Sequence, residues 1–247
     1  MPPLRHRIGT GEEPYAVFVA DAPDGRGDLW AVAPGGGRPI QITFTPPAEF
    51  GAALSPDGIQ IAFIRSRTEA DTALRTLGAL NLLNGAERAL SLPADAGYPL
   101  ALAWSPDGRR LVVRTTRGLW RLDGPPEPPH AAPVPAVARA AAESLFSVYV
   151  GDPPFARIVP CATASDLCVA GDSGVSVLAP SASEPMHWGA DSVAYLVGDE
   201  IVVRALGPGR SRVIRLSEMT NPRSFTYFPG LRRRAEAGLA GVRTSSD

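Results

Sequence analysis

The stretch Cys-Val-Ala-Gly-Asp-Ser-Gly-Val, residues 168–175, holds the one serine whose setting resembles an acyl-transfer nucleophile. A serine at Ser173 would need a histidine base, itself oriented by a buried aspartate. The chain has three histidines, His6, His130 and His187. His130 sits in the proline-rich PPEPPHAAPVP, and Gly174 is followed by Val-Ser, without the second glycine that helps shape an oxyanion region. The same residues have a simpler use. Gly, Asp and Ser between the strand-like runs DLCVAG and GVSVLAP make a hairpin turn, because glycine and aspartate tolerate the positive φ of tight turns. The turn is the stronger reading, and no catalytic residue is assigned.

Other reactive patterns reduce in the same way. Gly35-Gly36-Gly37 lacks the spacing of a phosphate loop and precedes the strand-like IQIT rather than a helix, so it reads as a hairpin turn. Asp24, Asp57, Asp107 and Asp191 recur along the chain and could in principle hold a metal. Their regular place in tight turns, as in Asp24-Gly25, Pro56-Asp57-Gly58 and Pro106-Asp107-Gly108, favours capping of the local backbone instead. Cys161 and Cys168 cannot supply four zinc ligands; they form a disulfide across a hairpin or remain two buried thiols. No Gly-x-Ser-x-Gly opens a helix, which removes an α/β-hydrolase domain. No cofactor or metal is implied.

Composition sets further limits. All 24 basic residues are arginine, which removes lysine Schiff-base and Walker-lysine chemistry. A formal net charge of −1 provides no field to recruit nucleic acid, and Arg232, Arg233 and Arg234 read as a solvated face. No apolar run reaches the roughly 20 residues that span a bilayer. The opening MPPLRHRIGTGEEPY has no apolar core after its basic residues and does not read as a secretory signal. A cytoplasmic protein and one whose leader has been removed both fit.

The elements that position these residues come from repetition. LSPDG at 54–58 and WSPDG at 104–108 each precede an alternating apolar run, IQIAFI and RRLVVRT, and WGADS at 188–192 precedes VAYLV. Proline suits the second position of a type I turn, aspartate the third, and glycine the positive φ that follows. A second plan, strand–turn–strand, follows in GDLWAVAPGGGRPIQITF and ALNLLNGAERALSL, more weakly in RGLWRLDG and DEIVVRALGPG. Trp104 and Trp188 precede the first turn, while Trp30 and Trp120 each end a Leu-Trp step in the third strand. Four strands in 40–50 residues is the period of a propeller blade.

These residues resemble the TolB-type β-propeller family, most closely in LSPDGIQIAFIRSR, LAWSPDGRRLVVRT and DLWAVAPGGGRPIQIT, although TolB's amino-terminal domain has no counterpart. The resemblance implies an all-β propeller and a periplasmic or extracellular location. About five four-stranded blades are expected, with an incomplete six-bladed ring as the alternative: 15–44 completed by 221–230, then 45–95, 96–140, 144–180 and 184–217. Residues 1–14 form an extension and 231–247 a tail. FTYFPGLRR at 225–233 is similar to LAWSPDGRR, so the C-terminal segment is expected to complete the first blade and close the ring by pairing the termini. The degenerate blade is expected to use SLFSVYV, FARIVP, DLCVAG and GVSVLAP.

The function expected is a non-catalytic module that binds a protein, a peptide or a small ligand on one face or at the central channel, working as a monomer. Loops 67–78, 124–136 and 151–155 depart most from the repeat and are the expected contact elements. The alternatives are the propeller portion of a prolyl-oligopeptidase-type hydrolase, or an enzyme with its site at the channel mouth.

Overall fold

The computed structural model describes residues 14–33, 35–44, 47–66, 75–123, 130–146, 158–171, 174–188, 192–198, 200–205, 211–216 and 219–228. Nineteen strands in these residues form five antiparallel sheets. The first blade joins β1 (Tyr15–Asp21), β2 (Gly27–Val32) and β3 (Ile40–Gln41) to the last described strand, β19 (Thr220–Phe228), in the order β19-β1-β2-β3. The second blade holds β4 (Ala48–Leu54), β5 (Gln60–Ser66), β6 (Thr76–Asn81) and β7 (Glu87–Leu90). The third holds β8 (Pro99–Trp104), β9 (Arg110–Thr115), β10 (Gly118–Asp123) and β11 (Ala131–Pro133). The fourth has β12 (Ile158–Pro160), β13 (Leu167–Gly171) and β14 (Gly174–Ala179), and the fifth has β15 (Ser183–His187), β16 (Ser192–Val197), β17 (Glu200–Ala205) and β18 (Arg212–Arg215). The chain is therefore an all-β propeller of five blades, closed by pairing its first strand with its last.

Closure follows from packing as much as from hydrogen bonds. β1 reads YAVFVAD, and its first six residues are all buried. Because side chains alternate across a strand, Ala16, Phe18 and Ala20 pack with Met186, Trp188, Leu196 and Ile201 of the fifth blade. Tyr15, Val17 and Val19 pack with Leu54, Ile61 and Phe63 of the second. β19 brings Phe228 opposite Tyr15, and Phe225 stacks on Phe18 with ring centroids 5.1 Å apart.

Similar shared cores join the second blade to the third, through Ile64, Leu77, Leu111 and Val113, and the fourth to the fifth, through Ile158, Leu167, Val193 and Tyr195. Among the described residues no such core joins the third blade to the fourth. There, a short helix α1 (Arg139–Ser144) lays Ala142 against Val112 and Leu119 on the face of the third blade opposite its core with the second. Of the run SLFSVYV, expected as a strand, Ser144 ends that helix and Leu145 and Phe146 form a turn, while 147–150 lie outside the described residues. Among the described residues the fourth blade has three strands, β12, β13 and β14.

Candidate functional site

The repeated turns act on the backbone. In Ser55-Pro56-Asp57-Gly58 the Gly58 amide donates to the Ser55 carbonyl at 2.8 Å and Gly58 has φ +70°. Asp57 Oδ1 accepts from the Ile59 amide at 3.0 Å, and Ser55 Oγ from the Gln60 amide at 2.9 Å. Ser105-Pro106-Asp107-Gly108 repeats the arrangement, with Arg109 and Arg110 donating at 3.0 and 2.9 Å and Gly108 at φ +68°. Hydrogen bonds from Ser105 and the Arg109 amide hold the Asp107 carboxyl below the usual range. Arg26 does the same for Asp24, which precedes Gly25 at φ +77°. Ser55 and Ser105 are partners that the sequence reading passed over, although the Ser-Pro-Asp-Gly motif contains them.

A second cluster lies between the first two blades. Thr43 Oγ1 accepts from the Leu29 amide at 2.9 Å and donates to Glu49 Oε2 at 2.8 Å, with Asp28 Oδ1 3.4 Å away. Gln41 Nε2 donates to Asp28 Oδ2 at 2.9 Å, and Arg65 Nε to Glu49 Oε1 at 2.7 Å. Burial pushes both carboxyls above the ordinary range, aided at Asp28 by the charge of Asp24 and opposed at Glu49 by Thr43 and Arg65. Perturbed carboxyls mark candidate acid–base sites. These are buried under Arg65, Thr43 and Gln41, so the cluster acts as a structural tie between blades.

The innermost strands β8, β4, β19 and β15 stand side by side in that order. Each is interrupted by a bulge, in register shifts that span Phe50, Leu100, Glu184 and Ser224. These four residues share one repeat position, four before Leu54, Trp104, Trp188 and Phe228. Bulges re-aim side chains. Glu184 and Ser224 have φ of 49° and 53°, a left-handed conformation that costs a non-glycine residue about 1–3 kcal/mol and persists only where its surroundings enforce it. They are held by each other and by a neighbour: the Ser224 amide donates to Glu184 Oε2 at 3.1 Å, and Ser224 Oγ to the Phe50 carbonyl at 3.2 Å.

Beside them opens a cavity of about 290 Å³, lined by Leu100, Leu102, Leu145, Phe146 and Phe225, with Glu184 its one charged residue. Leu100 is 44% exposed. Phe146 is anchored from outside by Arg114, whose guanidinium lies 4.3 Å from its ring centre and pairs with Glu143. A larger cleft of about 800 Å³ lies where the first and fifth blades meet at their outer strands, lined by Trp30, Gly37, Arg38, Phe44, Arg215 and Met219. Gly37 borders it, and the whole Gly35–Gly37 run, with φ of 86° and 109° at Gly36 and Gly37, lines a separate pocket of about 420 Å³ with Val213, Ile214 and Arg215.

The remaining sequence candidates fall elsewhere. Gly171 pairs with Gly174 to close the β13–β14 hairpin, while Asp172 and Ser173 between them lie outside the described residues. His130 is exposed just before β11, His187 ends β15, and His6 and Asp191 are outside the described residues. So are the loop portions 67–74, 124–129 and 151–155, and the tail with Arg232–Arg234. Cys161 and Cys168 are joined in a disulfide with Cα atoms 5.3 Å apart. Among the described residues no three His, Cys, Asp or Glu side chains converge as a metal site, and no helix is long and apolar enough to cross a membrane.

No protein-family model matches the chain, and no curated protein does. Solved structures similar to it include TolB from Acinetobacter baumannii, at 14% identity and a TM-score of 0.45, covering 91% of this chain and 69% of that one. A protein assigned as TolB from Agrobacterium tumefaciens has 14% identity and a TM-score of 0.36, over 87% and 71% of the two chains. The tricorn protease has 17% identity and a TM-score of 0.38, over 86% of this chain and 22% of that one. Likenesses at these scores carry no argument. The propeller fold rests on the five sheets and their closure.

Proposed function

We propose that the protein is a non-catalytic, TolB-type propeller module that binds a polypeptide partner at the mouth of its channel. The observation that carries this reading is the convergence of bulged residues from three inner strands, Leu100, Glu184 and Ser224, on one apolar cavity that Gly51 and Ala52 of a fourth also line. Backbone strain held at Glu184 and Ser224 by their mutual hydrogen bond is the kind of feature that clusters at ligand clamps. The lining supports binding over catalysis. Leu100, Leu102, Leu145, Phe146 and Phe225 offer an anchor pocket for an apolar side chain, and Glu184 an acceptor for a neighbouring cation. The lining holds one hydroxyl, Ser224, and one carboxylate, Glu184; the hydroxyl donates to the Phe50 carbonyl at 3.2 Å, while Glu184 accepts from the Ser224 amide. The Cys161–Cys168 disulfide supports residence in an oxidising compartment, periplasmic or extracellular.

A displayed peptide library panned against the full chain tests the reading. Enriched peptides are expected to bind the wild type, and Leu100→Asp to weaken them at least about tenfold, as for loss of one interface anchor. Val137→Asp, at a position 99% exposed on the surface, should leave binding unchanged. Failure to enrich any peptide, or binding indifferent to Leu100→Asp, overturns it.

A further inference from the structure

We propose that the outer edge of β14 is a self-pairing edge, through which two copies of this chain associate about a two-fold axis. The outermost strands of the other four blades are β3, β7, β11 and β18, each at the end of its sheet. In the fourth blade the order ends β12-β13-β14, and the chain passes from β14 to β15 through residues 180–182 alone. Among the described residues β14 therefore has a partner on one side only. An uncovered strand edge offers its amides and carbonyls to any extended chain that reaches it.

The other outermost strands carry features that discourage such pairing. β7 begins Glu87-Arg88, β18 has Arg212 and Arg215, β11 ends at Pro133, and β3 is two residues long beside Pro39. Charge, proline and shortness are the usual means of blunting an edge. β14 reads GVSVLA, six residues with neither charge nor proline. Val175 and Val177 stand on one face at 63% and 56% exposure, pairing with Ala170 and Cys168 of β13. That face is opposite the one whose Leu167 and Ala179 pack on the fifth blade, so it looks toward the junction where no shared core joins the third and fourth blades.

The occupant most compatible with this edge is a second β14. Antiparallel self-pairing is isologous, so one symmetry operation satisfies both edges and closes the assembly at two. It joins two three-stranded sheets into one of six strands. It brings no like charges together, and it lays the valines of each copy beside those of the other. A contact of this size is small for a stable interface, so a weak, concentration-dependent dimer is expected. This inference does not rest on binding at the channel mouth.

Sedimentation equilibrium of the full chain over a wide range of protein concentration tests it. The wild type should move from one chain mass toward two, and hydrogen exchange at residues 174–179 should slow as it does. The double variant Val175→Lys, Val177→Lys should stay monomeric with an unchanged melting temperature, since both side chains are exposed. A wild type that is monomeric throughout overturns the proposal. So does a dimer that survives the lysines. Protection of 174–179 that is already complete in the monomer also overturns it, because a segment of the same chain would then cover the edge.

Discussion

Asp28 shows how a single buried carboxyl divides its effects between folding and acidity. It is 4% exposed, and burial raises its affinity for a proton above that of the unfolded chain. A group of this sign contributes stability below its unfolded range and loses that contribution as pH rises through the folded value. Asp28→Asn keeps an oxygen for Gln41 and gains an amide facing Thr43 Oγ1. It should raise the melting temperature at neutral pH, with the advantage shrinking on acidification, in paired melts across the carboxylate range. The turn glycines provide a second contrast. Gly58 and Gly108 have nearly the same φ, so alanine at either meets about 1–2 kcal/mol of left-handed strain. A Cβ at Gly58 would also lie 2.8 Å from the Phe228 ring, whereas at Gly108 the nearest atom is Pro56 Cδ at 3.6 Å. Gly58→Ala should therefore cost about 3 kcal/mol in denaturant unfolding, and Gly108→Ala about 1 kcal/mol. The turn aspartates and glycines were legible in the sequence because each acts within five residues. The Asp28–Thr43–Glu49–Arg65 cluster was not, because its members meet only once the first two blades are packed.

Among the elements, strands announced by Ser-Pro-Asp-Gly turns were readable, since turn chemistry and period-two alternation coincide there. The fourth blade shows where that stops. Of its run SLFSVYV, Ser144 ends a helix that packs Ala142 on Val112 and Leu119, Leu145 and Phe146 form a turn, and 147–150 lie outside the described residues. At Ser144, Leu145 and Phe146 tertiary contact overrode local pattern, because β propensity is a preference for a half-buried pleated surface rather than a property of the residues alone. The ring of bulges at Phe50, Leu100, Glu184 and Ser224 was present in the repeat spacing. No residue type marks a bulge, so aligning the copies on their turn-leading residue is the one signal that finds it. The disulfide belongs to this scale as well. It closes a short loop between β12 and β13 in the blade with the fewest strands. Loop entropy alone makes it worth about 2.5 kcal/mol. Reduction, or Cys161→Ser with Cys168→Ser, should lower the stability by that order, read as a shift in urea midpoint at constant slope.

At the level of the whole molecule, the first blade is built from both ends of the described chain. The Arg223 guanidinium donates to Asp21 at 2.8 Å across 202 positions of sequence, and the Leu54 amide to Thr226 Oγ1 at 3.2 Å across 172. A variant ending at Leu216 loses β19 and leaves Tyr15, Phe18 and Val19 without the inner strand that covers them. It should lack a cooperative thermal transition by circular dichroism, whereas one ending at Phe228 should keep it. Closure was legible because FTYFPGLRR still aligns with LAWSPDGRR after losing one turn residue. The same closure has a consequence for biogenesis. At roughly 5–20 residues per second of synthesis, β1 emerges about 10–40 s before the strand that completes its sheet. Throughout that interval an apolar strand, YAVFVA, waits with one edge open. Until β19 arrives that edge can pair with any other extended chain, so mispairing during synthesis is a hazard built into the closed ring.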